Sequence, residues 1–187
     1  VRRGFKQPKV HITRIVRNRS GRTTAVRLIV LHSTESHDRP GTQDLKGVLS
    51  WFDNPAAQAS SHIIIDKEGL TARAVDDREK AWTCAAFNGV SVNVEQIGWS
   101  RFTQKRWLMR DKQLRATARW IAFWSLKYNI PISQGAVLGR AVASPGVVTH
   151  SMLGEPGGNH GDPGKGYPFE KVLRMARWYR RFGWFSR

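Results

Sequence analysis

Residues 25–34, AVRLIVLHST, hold a nearly continuous apolar run that ends on a histidine. A strand with one wet face alternates apolar and polar residues; a run like this one must be covered on both sides, as inside a largely parallel sheet. Helices are therefore needed on both faces, and the sequence supplies them. Thr42 is placed to cap a helix from about 43 to 53, with Leu45, Val48, Leu49 and Phe52 inward and Pro55 ending it. A second helix, around 110–128, carries Leu114, Ala118, Ile121, Ser125 and Tyr128 on one stripe. A third, basic and amphipathic, is expected over Phe169–Phe182.

Further strands are expected at 9–17 (KVHITRIVR), followed by a turn at Asn18–Gly21, and at 147–152 (VVTHSM). SSHIIIDKEGLTARAVDD reads as two strands joined around Lys67–Gly69. SVNVEQIG, 91–98, puts Val92 and Val94 on one face and Asn93 and Glu95 on the other. Strands interleaved with helices imply an α/β fold, a central mixed β-sheet flanked by α-helices. With no repeat, low-complexity tract or linker, the 187 residues read as a basic N-terminal extension, 1–24, and one globular domain, 25–187.

Lysine and arginine number 31 against 14 acidic residues, a net charge of +17. Such a charge steers a protein toward polyanions such as nucleic acid, anionic lipid or an acidic wall polymer, and says nothing about fold. The excess gathers at the ends. Arg2, Arg3, Lys6, Lys9, Arg14, Arg17, Arg19, Arg22 and Arg27 precede the first acid, Glu35, and Arg174, Arg177, Arg180, Arg181 and Arg187 close the chain. A solvated basic face and a dedicated polyanion site both fit that pattern. Cys84 is the single cysteine, which excludes a disulfide framework and a multi-cysteine metal site. No apolar run approaches the roughly 20 residues of a membrane span, and no signal-peptide pattern follows the basic start. Beginning at Val1, the chain reads as a piece processed or excised from something longer.

Chemistry-bearing residues gather at strand ends. His32 follows LIVL, His150 follows VVT, and the stretch NHGDPGKGYPF, 159–169, places His160 and Asp162 beside an Asp-Pro-Gly turn. Catalytic zinc commonly takes three protein ligands and leaves a fourth position open, and His32, His150 and Asp162 would make such a set without cysteine. The compact HExxH signature is absent. Residue chemistry alone leaves a zinc site and structural histidines both open.

LIVLHST, SSHIIIDKEG, SVNVEQIG, VVTHSM and HGDPGKGYPF occur in the order and rough spacing of the zinc-dependent N-acetylmuramoyl-L-alanine amidases. The chain resembles that family, which includes phage lysins and is similar in fold to peptidoglycan recognition proteins, over roughly residues 25–180. The resemblance implies that His32, His150 and Asp162 bind Zn2+, and that Glu95 is the general base. It implies peptidoglycan as substrate, cut at the amide between N-acetylmuramic acid and L-alanine. His160 stands where several members have lysine, and either stabilises the oxyanion or is a bystander. Ser61 replaces a tyrosine that some phage enzymes use, which agrees with a strand glutamate being present. His62 reads as a hydrogen-bonded structural histidine, and His37, Glu35 and His11 as weaker candidates. Trp82, Phe87, Trp99 and Trp107 are groove-wall candidates, and Asn88 is a candidate substrate contact.

The expected setting is a monomer without a membrane span, acting at the bacterial cell wall, in first place as a phage lysin. Basic termini would meet anionic wall polymers, and no nucleic acid is expected. The alternatives are a noncatalytic peptidoglycan-binding module and, on charge alone, a basic nucleic-acid-binding domain.

Overall fold

The computed structural model describes residues 6–37, 39 and 41–183. Arg2, Arg3 and Arg187 of the basic clusters lie outside them. The strands are β1 (Ile12–Thr13), β2 (Arg19–Gly21), β3 (Leu28–Ser33), β4 (Ile63–Ile65), β5 (Thr71–Arg73), β6 (Glu79–Ala81), β7 (Ser91–Gln96), β8 (Ala136–Leu138), β9 (Ala141–Ser144) and β10 (Gly146–Thr149). The helices are α1 (Gln43–Asp53), α2 (Gln104–Leu108), α3 (Asp111–Lys127) and α4 (Phe169–Phe182). No described helix is long and apolar enough to cross a membrane.

Six strands form one mixed sheet in the order β1-β5-β4-β7-β3-β10. Only β4 and β5 pair antiparallel; the other four contacts are parallel. The apolar run explains the arrangement, since every residue of β3 is buried between β7 and β10. Ile29 and Leu31 join Ile63, Ile65, Val92 and Val94 against α3 and α4, where Trp120, Trp124 and Val172 are buried. On the other face Ile64 and Ala72 meet Leu45, Leu49 and Phe52 of α1, while Leu28, Val30 and Val148 meet Phe87 and Leu153. Each helix thus covers a sheet face that water would otherwise wet, worth roughly 25 cal/mol per Å² of apolar surface removed.

Several expectations shift in detail. Thr42 precedes α1 but makes no side-chain cap bond. The strand expected over 9–17 registers as two residues, although His11, Arg14 and Val16 all donate backbone N–H groups along β5 or just beyond it. The expected turn at 18–21 contains β2, which pairs with β6. Residues 12–22, read above as part of an extension, are tied into the same body. Arg14 and Arg17 pair with Asp53, Arg19 with Glu79. The partly buried Arg22 guanidinium donates to the carbonyls of Gly89, Glu79 and Ser91. VVTHSM is strand only to Thr149; a 3-10 turn starts at His150. The β8–β9 hairpin and the short α2 were not anticipated.

Candidate metal centre and active-site cleft

Three parallel strands set the site. β3, β7 and β10 run side by side, so their C-terminal ends emerge together, in the position where open α/β sheets place ligands. His32 sits near the end of β3, Glu95 is its register partner on β7, and His150 follows β10. Alternation turns Val92 and Val94 into the α3 side of the core, leaving Asn93 and Glu95 on the face that His32 shares.

His32 Nδ1 lies 3.0 Å from His150 Nδ1, and Asp162 closes the triangle at 3.0 Å from His150 and 3.4 Å from His32. All three residues are buried. The outer nitrogens are committed: His32 Nε2 is 3.1 Å from Asn93 Oδ1, and His150 Nε2 is 2.9 Å from the Gly157 carbonyl. Both of those oxygens are acceptors, so each imidazole carries its proton on Nε2 and turns a bare Nδ1 inward. Two lone pairs 3.0 Å apart repel unless a cation lies between them. Protonation is the poorer remedy, because burial pushes His32 down against the pull of Asp162. Burial raises Asp162, yet His150 and His32 outweigh it and hold the carboxyl well below its usual range. Ligands at about 2.0–2.1 Å in a tetrahedron stand roughly 3.3 Å apart, the spacing of these donors. Imidazole, imidazole and carboxylate suit zinc, and the residues present fit it.

The third member of the triangle, Asp162, is held from several sides. Asp162 Oδ2 accepts the Ser33 N–H at 3.2 Å, and the Asp162 carbonyl accepts from Ser151 N at 3.0 Å. Behind it, Gly164 has φ +89°, and a Cβ there would lie 1.8 Å from the Ser100 carbonyl oxygen. Ser100 is in turn clamped by Glu35, whose Oε1 accepts Ser100 N–H at 2.6 Å and whose Oε2 accepts Ser100 Oγ–H at 3.1 Å.

A cleft of about 910 Å³ opens above this cluster. Its walls include Arg39, Trp51, Trp82, Glu95 and His160. Glu95 is 9% exposed, and its Oε2 is buried without a hydrogen-bond partner. Burial first, then the charges of Asp162 and Glu35, push its carboxyl well above the ordinary range. His160 is exposed and stacks on His150, ring centroids 4.6 Å apart and 16° from parallel.

The remaining candidates divide. His37 and Asn88 line the cleft, and Asn88 Oδ1 caps the N–H groups of Thr83 and Cys84. Of the groove-wall aromatics, Trp82 lines the cleft and Trp99 packs edge-on against His37; Phe87 and Trp107 are fully buried core. His62 is buried, accepting Asn93 N–H on Nδ1 and lying 3.2 Å from the Glu79 carbonyl through Nε2. Ser61 is buried and donates to the Asn93 carbonyl, and His11 accepts Thr71 N–H at the sheet edge. Asn93, the Gly157 carbonyl, Trp51 and Arg39 were missed. Asn93 had a signal, its shared face with Glu95; Trp51 had one too, lying off the inward stripe of α1.

Residues 22–165 match the family model described as N-acetylmuramoyl-L-alanine amidase. N-acetylmuramoyl-L-alanine amidase A of Achromobacter lyticus is 27% identical over 169 residues, covering 83% of this chain and 84% of its own. Among solved structures, the Staphylococcus aureus hydrolase AmiA in complex with its ligand superposes with a TM-score of 0.69 at 17% identity, covering 96% of this chain and 89% of that one. The endolysin amidase LysCS from Clostridium intestinale URNW gives 0.64 at 15% identity, covering 93% and 99%. These likenesses carry the fold; the family match, across most of the chain, carries the kinship. The chain belongs to the N-acetylmuramoyl-L-alanine amidase family.

Proposed function

We propose that the protein is a zinc-dependent amidase that hydrolyses the bond between N-acetylmuramic acid and L-alanine in peptidoglycan, with His32, His150 and Asp162 as metal ligands. The observation that carries the reading is the pair of bare Nδ1 atoms converging with Asp162 beside an unpartnered Glu95 oxygen. Bound zinc would acidify a water and polarise the scissile carbonyl. Asn93 and Gly157 hold the two imidazoles in the ligating tautomer. Glu95 takes the proton of the attacking water on its free Oε2 and returns it to the leaving alanine nitrogen. For that it must be ionised, which zinc held by His32, His150 and Asp162 would favour against the rise that burial and its acidic neighbours cause. In this reading His160 donates to the developing oxyanion, which its stacking on His150 in the cleft wall supports.

A noncatalytic recognition module would not need a free carboxylate at Glu95, and that oxygen favours the enzyme. The biological setting we favour is a phage lysin acting on the bacterial wall. The charge of +17 would draw it toward anionic wall polymers, an attraction that salt should weaken. Muropeptide release should stop on complete chelation and return with zinc. Release that survives chelation in both the wild type and His150→Ala would end the zinc mechanism.

A further inference from the structure

The C-terminal helix carries a feature that the hydrolytic site does not use. The inner face of α4 is spent on the core through Val172, Leu173, Ala176 and Tyr179. Its outer face presents Arg174, Arg177, Trp178, Arg181 and Phe182 to solvent, with Arg180 half-buried beside them. Trp178 is 55% and Phe182 53% exposed, and their rings touch at 5.6 Å between centroids. Arg177, Arg180 and Arg181 border a hollow of about 470 Å³ against the 131–133 segment. Arg177 and Arg180 each give one nitrogen to that neighbourhood, to the Ile132 carbonyl and to Ser125 Oγ. Among the described residues, none of the four arginines has a carboxylate partner, and the helix's one acid, Glu170, is in its first turn.

Helix polarity explains part of this, since cations in a last turn complement the C-terminal carbonyls. It does not explain Arg174 in mid-helix, nor two large aromatics left in water beside the arginines. Arginine that coordinates phosphate, next to Trp and Phe at headgroup depth, is the composition of a helix that lies on a membrane surface. We infer that the outer face of α4 docks onto an anionic phospholipid surface, with a headgroup phosphate seated in the hollow among Arg177, Arg180 and Arg181 and with Trp178 and Phe182 entering the interface. A soluble polyanion would engage the arginines alone; the exposed aromatic pair favours the bilayer. The inference stands apart from the hydrolytic reading, because binding is measured without turnover.

The test is sedimentation of the full chain with vesicles of mixed phosphatidylglycerol and phosphatidylcholine, against vesicles of phosphatidylcholine alone. Binding should need the anionic lipid and weaken with salt. Arg174→Gln with Arg181→Gln should cost roughly fivefold in partitioning per arginine. Trp178→Ser with Phe182→Ser should also cost severalfold, and the loss should persist at high salt. Melting temperature and muropeptide release should stay at wild-type values in both variants. No wild-type binding to anionic vesicles would overturn the inference. So would a soluble polyphosphate that displaces the protein from vesicles fully while the aromatic variant binds as well as wild type, which would make the face a polyanion site.

Discussion

Glu95 shows how one residue can be read twice. In sequence it was a carboxylate alternating away from Val92 and Val94; in the structure it is buried with one oxygen unpartnered. Replacing it by glutamine keeps the shape and removes the proposed base. Glu95→Gln should lower kcat by about 10²–10⁴-fold while zinc content and melting temperature hold, measured on the same preparation. Asn93 makes the complementary case. Its Oδ1 accepts from His32 Nε2, so Asn93→Ala leaves that N–H with nowhere to go and frees the ring to turn. Zinc affinity, read by competition with a chromophoric chelator, should fall about 10–100-fold, and Asn93→Asp, which retains an acceptor, should recover most of it. His32 and His150 stood out in sequence because strand ends collect function. The groups that orient them did not, since a backbone carbonyl such as that of Gly157 leaves no mark in sequence.

At the level of elements, legibility followed hydrophobic pattern. α1 and α4 were bounded to the residue because their inward stripes end sharply. The β8–β9 hairpin went unseen because it buries little: Leu138 is 78% exposed, so no apolar face announces the strands. β10 ends one residue before His150, where the chain tightens into a 3-10 turn that aims the imidazole inward. Between β5 and α3 a buried ion network ties elements together. The Asp77 carboxylate receives Arg73 at 2.7 Å, Lys127 at 2.9 Å and Trp124 Nε1 at 2.9 Å. Asp77→Ala leaves the buried Arg73 and Trp124 donors without their acceptor and should destabilise by about 3–5 kcal/mol in urea unfolding. A change under 1 kcal/mol would mean the network is not part of the folding energetics.

Across the whole molecule, the basic excess and the catalytic apparatus separate. Much of the N-terminal charge is spent on structure, in Arg14, Arg17 and Arg19 pairs and the anchored Arg22, whereas the arginines of α4 have no carboxylate partner among the described residues. Composition could count these charges but could not tell which were engaged. Global stability also has a titration built in. Burial is the main cause that lowers His62 from 6.5 to about 4. The unfolded chain therefore binds that proton more readily, so the stabilisation is complete above pH 6.5 and is lost as pH falls toward 4. The loss should approach about 3 kcal/mol at the lower end, and His62→Gln should flatten the profile in that window.

The central claim, a metal-supported cut at one amide, is tested most directly by mass spectrometry of digested peptidoglycan. Zinc-loaded protein should release peptides that begin with a free L-alanine amine and leave glycan strands with intact lactyl carboxylates, in equal amounts. Chelated protein and the His150→Ala variant should release none. New reducing sugars, cuts within the stem peptide, or the same products from the metal-free protein would contradict it.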